Sequence, residues 1–461
     1  MRGNIVKKKI KKCLAIFTAV AALNAVGLLG ACDNVDGVSD KDGQPTDPFA
    51  GYIDLHEKQI YEAEDADTLE NGCFVGTNSN CSGGMRLENM TASNAAYAEY
   101  IVNSDKAGYA DLSVKIAYVR NETSMGKVMA VSVNGEELGL SNAPVYHIDD
   151  TYNSYYEFPL GRISLKKGEN TVRFESVGGG FHFDYFALST PEVYSGGVLK
   201  LEAENASTAS VAYPANDSAA SSGRVLNQST AGKFTVTVYA KKPVLSELVI
   251  CFAYAGKSGA KRFNEMMAIS VNGRTITLDD RTISPHDGAA QKYNTISIGN
   301  ILLQGGENKI VVNSYSSYLF YDSFLLTETD NTDVEPRAET IIQAEHAALT
   351  GGCRIEQKGG IEAVVDNSPN SAVTFLLYAE SDFSAEFAIR LNYTGSENTL
   401  EKVMYITVNG YLVNLLDTEV ESSTVSYTES YIGEIPLFKG ENIVVITSID
   451  GNYKLDYIML W

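Results

Sequence analysis

The sequence predicts an all-β protein made of three tandem antiparallel β-sandwich domains. Four short sequence landmarks recur three times, in the same order, along the 461 residues. Hydrophobic and polar residues alternate with a period of two, and no stretch of a dozen residues shows the 3.6-residue stripe of a helix. Each unit also carries an Asn-Gly pair, which is preferred in two-residue β-hairpin turns. These three observations predict a small sheet domain that is repeated.

The first element, residues 1–31, has the pattern of an export signal. Five lysines precede an apolar stretch from Cys13 to Ala31 that contains no acidic residue. A transmembrane helix is the alternative, but the stretch has only about 19 residues and contains Asn24. The residues Leu29-Gly30-Ala31-Cys32 resemble the lipobox of bacterial lipoproteins, in which the cysteine is lipidated and becomes the mature N-terminus. The resemblance implies that Cys32 carries a lipid that anchors the chain in the bacterial cell envelope. The expected location is the surface-exposed outer membrane or, in a Gram-positive bacterium, the outer face of the cell membrane.

The second element, residues 32–56, is rich in Asp, Gly and Pro and too poor in apolar residues to pack, so it is predicted to be an acidic, flexible tether. A coil of this length holds the folded part roughly 25 Å from the bilayer. Removing residues 1–31, which contain six basic residues and no acidic ones, moves the net charge from −22 to −28. Such a surface repels nucleic acid, which excludes that class of partner.

The repeated landmarks define the domains. They are "YEAEDA", "LEAENA" and "IQAEHA" at 61–66, 201–206 and 342–347; "VNG" at 133–135, 271–273 and 408–410; "GEN" at 168–170, 306–308 and 440–442; and "FDYFAL", "YDSFLL" and "LDYIML" at 183–188, 321–326 and 455–460. Glu64 and Glu204 are 140 residues apart, and Glu204 and Glu345 are 141 apart. We predict domain 1 at 57–190, domain 2 at 198–328 and domain 3 at 339–461, joined by polar, proline-bearing linkers.

The order of these landmarks resembles that of the carbohydrate-binding modules of families 35 and 6, which are galactose-binding-like jelly rolls. The resemblance covers all three units. It implies three β-sandwich modules that bind a polysaccharide or other glycan without catalysis, each stabilised by one structural calcium ion. It also implies that surface proteins that process glycans are neighbouring partners.

Acidic residues of the first and last landmarks are the predicted calcium ligands. In Glu-Ala-Glu on a strand both carboxylates point to one face, and an Asp of the last strand meets them if the first and last strands are neighbours. Oxygen ligands of this kind suit Ca²⁺. Carried over from the family, the sets are Glu62, Glu64 and Asp184; Glu202, Glu204 and Asp322; and Gln343, Glu345 and Asp456.

Two other interpretations of these acids are open. The first is that they are solvated acids of edge strands. The second is that they are the paired carboxylates of a glycosidase, which lie about 5 to 10 Å apart in a cleft. The same acids recur in every domain, at the chain ends of a small sandwich, and no separate catalytic domain remains in the sequence. We therefore expect no enzyme activity.

Sugar binding is predicted from aromatic residues, because an aromatic face packs on the apolar C–H face of a pyranose. Tyr118, Tyr254 and Tyr393 end equivalent strands, and the alternative for each is a half-buried strand tyrosine. Loop residues are the better candidates, and these are Tyr152, Tyr155, Tyr293, Tyr427 and Tyr431.

The resemblance has one departure at the predicted ligand site. Family members carry an asparagine two residues before the terminal Asp, and here the three domains have His182, Phe320 and Lys454 at that place. His182 and Lys454 stay candidate ligand contacts. Phe320 cannot donate a hydrogen bond, so domain 2 is expected to be a spacer. The alternative function for the whole chain is an adhesion or scaffold lipoprotein whose sandwiches contact proteins without using a sugar site.

Cysteine usage fits an exported protein. Cys73 and Cys81 lie in the loop after the first Glu-Ala-Glu and are predicted to form a small disulfide. Cys251 is predicted to be a buried strand residue.

Overall fold

Strands dominate the structure, as the period of two in the sequence predicts. The computed structural model describes residues 51–55, 57–120, 124–141, 143, 145, 151–178, 180–208, 212–256, 259–285, 293–329, 332–358, 360–416 and 418–461. The predicted export signal, Cys32 and all but the last residues of the predicted tether lie outside these ranges. In the ranges that are described, no helix is both long and apolar enough to cross a membrane.

Domain 1 is a two-sheet sandwich. Its strands are β1 (Gln59–Glu62), β2 (Thr68–Glu70), β3 (Phe74–Thr77), β4 (Met85–Met90), β5 (Tyr97–Ser104), β6 (Gly108–Tyr118), β7 (Met129–Val133), β8 (Glu136–Glu137), β9 (Tyr156–Leu165), β10 (Gly168–Ser176) and β11 (Phe181–Ser189). One sheet has the order β3-β4-β11-β6-β9, with β1 paired to β11, and the other has the order β2-β5-β10-β7-β8. Short 3₁₀ helices span Ala63–Asp65, Ser82–Gly84, Ala92–Asn94 and Met125–Lys127.

Domain 2 repeats this arrangement. Its strands are β12 (Val193–Tyr194), β13 (Val198–Glu202), β14 (Ser207–Thr208), β15 (Ala212–Asn216), β16 (Arg224–Gln228), β17 (Gly232–Ala240), β18 (Val244–Tyr254), β19 (Lys261–Arg262), β20 (Met267–Val271), β21 (Arg274–Ile276), β22 (Thr282–Ile283), β23 (Asn294–Leu303), β24 (Gly306–Ser314) and β25 (Leu319–Glu328). The sheets are β15-β16-β25-β18-β23, with β13 on β25, and β12-β17-β24-β20-β21, with β14 on β17; β19 pairs with β22. A 3₁₀ helix spans Ala203–Asn205, and the short helix α1 spans Phe263–Met266.

Domain 3 has the same two sheets again. Its strands are β26 (Thr332–Val334), β27 (Thr340–Gln343), β28 (Ala348–Thr350), β29 (Arg354–Lys358), β30 (Ile361–Val365), β31 (Ala372–Ala379), β32 (Phe383–Tyr393), β33 (Met404–Val408), β34 (Tyr411–Leu412), β35 (Thr428–Leu437), β36 (Gly440–Ser448) and β37 (Tyr453–Leu460). The sheets are β29-β30-β37-β32-β35, with β27 on β37, and β26-β31-β36-β33-β34, with β28 on β31. The 3₁₀ helices span Ala344–His346 and Leu400–Lys402. The predicted fold class, all-β with three tandem sandwiches, is confirmed.

The core of each domain lies between its two sheets. In β10, Val172 and Phe174 are fully buried, whereas Thr171 before them and Arg173 between them are partly exposed. This alternation places every second side chain of a strand in the core, which is how a sandwich buries one face of each sheet. Each domain has its own cluster of buried apolar residues, so each has its own hydrophobic core.

The two polar linkers contribute strands to the domains that follow them. β12, from the first linker, pairs in parallel with β17 of domain 2. β26, from the second linker, pairs in parallel with β31 of domain 3. The linkers are therefore fastened to a sheet, although the exact domain limits drawn from the sequence stay a prediction.

The Asn-Gly and Gly-Glu-Asn landmarks bind each other. Asn134 and Gly135 have φ of 53° and 85°, which is the left-handed geometry of the predicted hairpin turn. The Asn134 amide donates to Oδ1 of Asn170 at 2.9 Å, and Asn170 is wholly buried. The same pair is formed by Asn272 with Asn308 and by Asn409 with Asn442. Two landmarks about 35 residues apart are thus one structural unit.

Candidate functional site

The aspartate of the last long strand stands in a β-bulge in every domain. Phe183 and Tyr185 each pair with a residue of β6, and Asp184 between them has no partner across the sheet. Asp322 and Asp456 occupy the same position in β25 and β37. A bulge changes the direction of a side chain relative to the regular strand. The bulge therefore changes the direction of the acidic side chain, in a strand whose other residues are mostly buried.

Glu-Ala-Glu is not one continuous strand, and the prediction that it is one was wrong. Glu62 ends β1, Ala63 is buried, and Glu64 lies in the following 3₁₀ helix. Domains 2 and 3 have the same break after Glu202 and Gln343. The chain turns here because the buried alanine docks against the core. The strand that carries the first landmark pairs with the strand that carries the Asp, as the sequence predicts.

Serines link the carboxylates in domains 1 and 2. Ser82 donates its backbone N–H to Asp184 Oδ1 at 2.9 Å and its hydroxyl to Glu62 Oε1 at 2.7 Å. In domain 2, Ser221 donates its backbone N–H to Asp322 at 2.8 Å and its hydroxyl to Glu202 at 3.1 Å. In these two domains the first glutamate and the aspartate of the predicted set therefore share a serine partner and lie close together.

We call the acids of each predicted calcium set a carboxylate cluster, for example Glu62, Glu64 and Asp184 in domain 1. The electrostatics of these clusters favour a bound positive charge. Burial, followed by the neighbouring carboxylates of Glu62 and Asp184 among others, raises the pKa of Glu64. Burial, with Glu362 and Asp456 nearby, raises the pKa of Glu345. Among the described residues, Oε2 of Glu62, Glu64 and Glu345 is buried and accepts no hydrogen bond. Buried oxygen atoms of this kind fit a hard cation such as Ca²⁺. The side chains as placed, however, form no group of three or more His, Cys, Asp or Glu arranged to hold a metal in the described ranges.

A basic side chain already contacts the aspartate in two of the three domains. Lys115 Nζ lies 2.9 Å from Asp184 Oδ2, and an Arg390 nitrogen lies 3.0 Å from Asp456 Oδ2. The register places Cys251 at the equivalent position of domain 2. In domain 2 a lysine contacts the glutamate of the set instead, since Lys200 Nζ lies 2.8 Å from Glu202 Oε1.

The loop tyrosines of domain 1 form an aromatic site with residues that the sequence analysis did not select. The Tyr152 ring stacks on His182, with centroids 4.5 Å apart and planes 23° from parallel. Arg86 donates to the Tyr155 hydroxyl at 2.7 Å and to the Tyr152 carbonyl at 3.1 Å, and it also pairs with Glu88. Tyr152 and Tyr155 are half-buried, so part of each ring faces solvent.

His182 is held neutral by its surroundings. Burial, with the Arg86 guanidinium as a second cause, lowers the pKa of His182 to about 4, against the opposing influence of Glu88. Its Nδ1 is buried and makes no hydrogen bond to any residue that the structure describes. The residue therefore presents an uncharged ring to Tyr152 at neutral pH.

Domain 3 brings together only part of the predicted set. Lys454 pairs with Glu356 of β29, and Arg390 lies over the Tyr427 ring at 5.8 Å from its centroid. Lys454 and Arg390 both act on the pKa of Tyr427, so the three side chains are near one another. Tyr431 is separate: its ring lies 6.0 Å from that of Trp461, at the other end of β37.

Domain 2 has the sparsest candidate site. Tyr293 directly precedes β23, as Tyr155 precedes β9 and Tyr427 precedes β35. Its hydroxyl donates to Asp217 at 2.6 Å, and burial raises its pKa further than that hydrogen bond does. Phe320 stands where domain 1 has His182. The hydroxyl of Tyr293 is therefore already engaged, and Phe320 has no polar group to offer.

The strand tyrosines are core residues, and their prediction as sugar contacts was wrong. Tyr118, Tyr254 and Tyr393 are 0%, 1% and 0% exposed. At the end of β6 the residues Ile116, Ala117 and Tyr118 are all buried, so neither face of the strand is exposed there. A ring without an exposed face cannot stack on a sugar.

The predicted disulfide is also absent. Cys73 and Cys81 are free thiols. Cys73 Sγ lies 3.3 Å from the Glu70 carbonyl and 3.2 Å from the Tyr97 carbonyl, and it packs in the core of domain 1. Burial raises the pKa of both thiols. Cys251 is half-buried in β18 rather than fully buried.

No protein-family model and no curated protein matches this chain. It is similar to a native family 35 carbohydrate-binding module from Clostridium thermocellum, with 22% identity over 29% of this chain and 99% of that one, at a TM-score of 0.25. A second family 35 module from that organism is 25% identical, and the match covers 29% of this chain and 98% of that one at a TM-score of 0.24. The C-terminal CBM6 of a marine laminarinase from Zobellia galactanivorans has 13% identity, 29% and 100% coverage and a TM-score of 0.24. In each case the covered share corresponds to one domain.

Proposed function

We propose that this chain is a lipid-anchored protein of the bacterial cell surface that binds polysaccharide without catalysis, through the loop sites of domains 1 and 3. The observation that supports the proposal most directly is the Tyr152–His182 stack bordered by Arg86 and Glu88. A half-exposed aromatic ring with charged hydrogen-bonding groups at its edge is the combination that holds a pyranose, whose C–H face packs on the ring while its hydroxyls bind the polar groups.

The two outer domains supply the binding, and domain 2 holds them apart. Domain 3 offers Tyr427 beside Lys454 and Glu356, which is again a ring with a charged pair. Domain 2 offers Tyr293, whose hydroxyl is bonded to Asp217. Two weak sites on one tethered chain raise the avidity for a polymer through effective concentration, whereas a short oligosaccharide gains nothing.

Calcium is part of the proposal as a structural ion in each domain. The residues that would hold it are Glu62, Glu64 and Asp184 in domain 1 and their counterparts in domains 2 and 3. Bound there, the ion would neutralise the carboxylates and so hold the first strand of the domain to the last. The lipid on Cys32 would hold the protein on the membrane, near the surface proteins that process the same glycan.

The test is affinity electrophoresis of the whole protein in gels that contain soluble mannans, galactans, xylans or pectins. Tyr152→Ala and Tyr427→Ala should each weaken retention by on the order of 1 kcal/mol, or about fivefold, and the double variant should abolish it. Tyr293→Ala is the matched control at the equivalent position of domain 2 and should leave retention unchanged.

Two results contradict the proposal in different ways. If a glycan is found whose retention survives the double substitution, the loop-tyrosine site is wrong although glycan binding is right. If none of the glycans retards the protein, the adhesion or scaffold function takes its place.

A further inference from the structure

Domains 2 and 3 meet through an apolar cluster that is separate from both domain cores. Leu245 of β18 packs with Ala348 and Leu376 of domain 3, and these residues are 6%, 3% and 3% exposed. Leu302 and Ile443 pack against them. This junction therefore excludes water from leucine side chains that, in a freely moving pair of domains, would be exposed.

Polar contacts surround this cluster. Lys242 of domain 2 pairs with Glu441 of domain 3 at 2.7 Å. The Asn300 side chain donates to the His346 carbonyl at 2.8 Å. A buried apolar centre with hydrogen bonds and an ion pair at its rim is the usual construction of a stable interface.

The linker between domains 2 and 3 is fastened at both ends. The backbone N–H of Thr329 donates to the Leu245 carbonyl at 3.0 Å, on the domain 2 side. β26 pairs with β31 on the domain 3 side. A direct backbone bond, from Gly351 N–H to the Thr275 carbonyl at 2.9 Å, also joins the two domains.

The junction of domains 1 and 2 is polar. Arg162 of domain 1 hydrogen-bonds Tyr239 of domain 2 and donates to the Tyr52 hydroxyl at 2.6 Å. Asp111 of domain 1 faces the like charge of Glu307 across this junction. Among the described residues, the buried apolar clusters are the three domain cores and the Leu245–Leu376 cluster, so none joins domains 1 and 2.

Equivalent positions of the internal repeat carry different residues at the two domain junctions. Tyr109 is the second residue of β6, as Leu245 is the second residue of β18. Thr237 stands three residues before the end of β17 and pairs with a lysine, whereas Leu376, three residues before the end of β31, pairs with Ile443. The positions that are leucines at the second junction are polar or aromatic at the first.

We propose that domains 2 and 3 form one body that unfolds cooperatively, and that domain 1 is a thermodynamically independent unit joined to it by a polar contact. The proposal does not depend on the ligand. If domains 2 and 3 form one body, the site of domain 3 is fixed relative to domain 2. The distance between the sites of domains 1 and 3 then depends only on the junction between domains 1 and 2.

The test is differential scanning calorimetry of the whole mature protein carrying Cys32→Ser, which removes the lipid attachment. The unfolding enthalpy of globular domains scales with their length, so two transitions with areas in a ratio of about 1:2 are expected. In the larger transition the van't Hoff enthalpy should equal the calorimetric enthalpy, which is the mark of a single cooperative unit. Leu376→Asp should split this transition into two of about half the area.

Ile101→Asp is the matched control. Ile101 is the fifth residue of β5, as Leu376 is the fifth of β31, but it is 39% exposed and has no domain against it in the described chain. The control should keep the 1:2 pattern. Leu245→Asp approaches the cluster from domain 2, so the same split is expected even if Leu376→Asp prevents domain 3 from folding. Three equal transitions in the unsubstituted protein, one transition for all three domains, or an unsplit larger transition in Leu245→Asp would each overturn the proposal.

Discussion

The neutral state of His182 predicts a specific dependence of stability on pH. A pKa of about 4 in the folded protein, against an ordinary value of 6.5, means that the folded state binds this proton less readily than the unfolded state. The sign follows directly: the contribution of His182 to stability is fully present above pH 6.5 and is lost as the pH falls from 6.5 towards 4. A bound calcium ion on Asp184 would lower the pKa of His182 further, so the sign does not depend on the metal.

The magnitude follows from the size of the shift. A change of 2.5 units corresponds to about 3.4 kcal/mol at most, of which about 2 kcal/mol is reached at pH 5. Because His182 is only half-buried, solvent screening reduces this to about 1 kcal/mol. Phe320 occupies the equivalent position of domain 2, so His182→Phe is a substitution that this fold already accepts and that removes the titration while keeping a ring against Tyr152.

The assay is NMR on the whole protein. The chain has five histidines, so the imidazole signal that disappears in His182→Phe is readily assigned, and it should titrate near pH 4. Urea unfolding of domain 1, followed through the buried Met129 methyl group, should lose about 1 kcal/mol more between pH 7 and pH 5 in the native sequence than in His182→Phe. An assigned imidazole that titrates near 6.5, with equal losses in both proteins, would refute the reasoning.

Three further predictions concern the metal, the anchor and the Asn pairs. EDTA should lower the melting temperature, because an ion at a hundredfold excess over Kd stabilises the native state by about 2.7 kcal/mol; unchanged melting and no calcium in elemental analysis would leave the acids as surface charges. Cys32→Ser should release the protein from membranes, and its recovery in carbonate-washed membranes would contradict the lipobox interpretation. Asn308→Ala should cost domain 2 about 3 to 4 kcal/mol in urea unfolding, since the wholly buried side chain makes hydrogen bonds to Gln304, Gly306 and Asn272 worth about 1 kcal/mol each; a loss below 1 kcal/mol would contradict this.

The fold was predictable because its signals are local. Alternation within a strand and an Asn-Gly turn each involve a few consecutive residues, and three copies of the pattern make them unambiguous. The bulge at Asp184 was not predictable in this way. It arises from an offset between β11 and β6, and the sequence of β11 alone contains no extra residue that marks it.

The candidate site was predicted only in part. Tyr152 and His182 were selected as members of one site and do stack. Arg86 and Glu88 were missed because they lie in β4, some 65 residues earlier in the chain, and only the pairing of β4 with β11 brings them there. A single basic residue in an alternating strand does not indicate which distant residues of the chain it will contact. Tyr118 was misassigned because alternation does not reveal where both faces of a strand are buried, as they are at the end of β6.

The locked Asn-Gly turns also bear on how the protein ages. Asn-Gly is the dipeptide in which an asparagine side chain is most readily attacked by the next backbone nitrogen, and hydrolysis of the resulting ring leaves aspartate or isoaspartate. Here the Asn134 amide is held by the Asn170 side chain, and its oxygen accepts the Thr171 N–H at 3.2 Å, so the attack is restrained while the domain stays folded. Conversion to a carboxylate would set two acceptors, Asp Oδ and Asn170 Oδ1, against each other beside a buried residue. Damage would therefore accumulate at three equivalent turns, and mainly in molecules that have already opened.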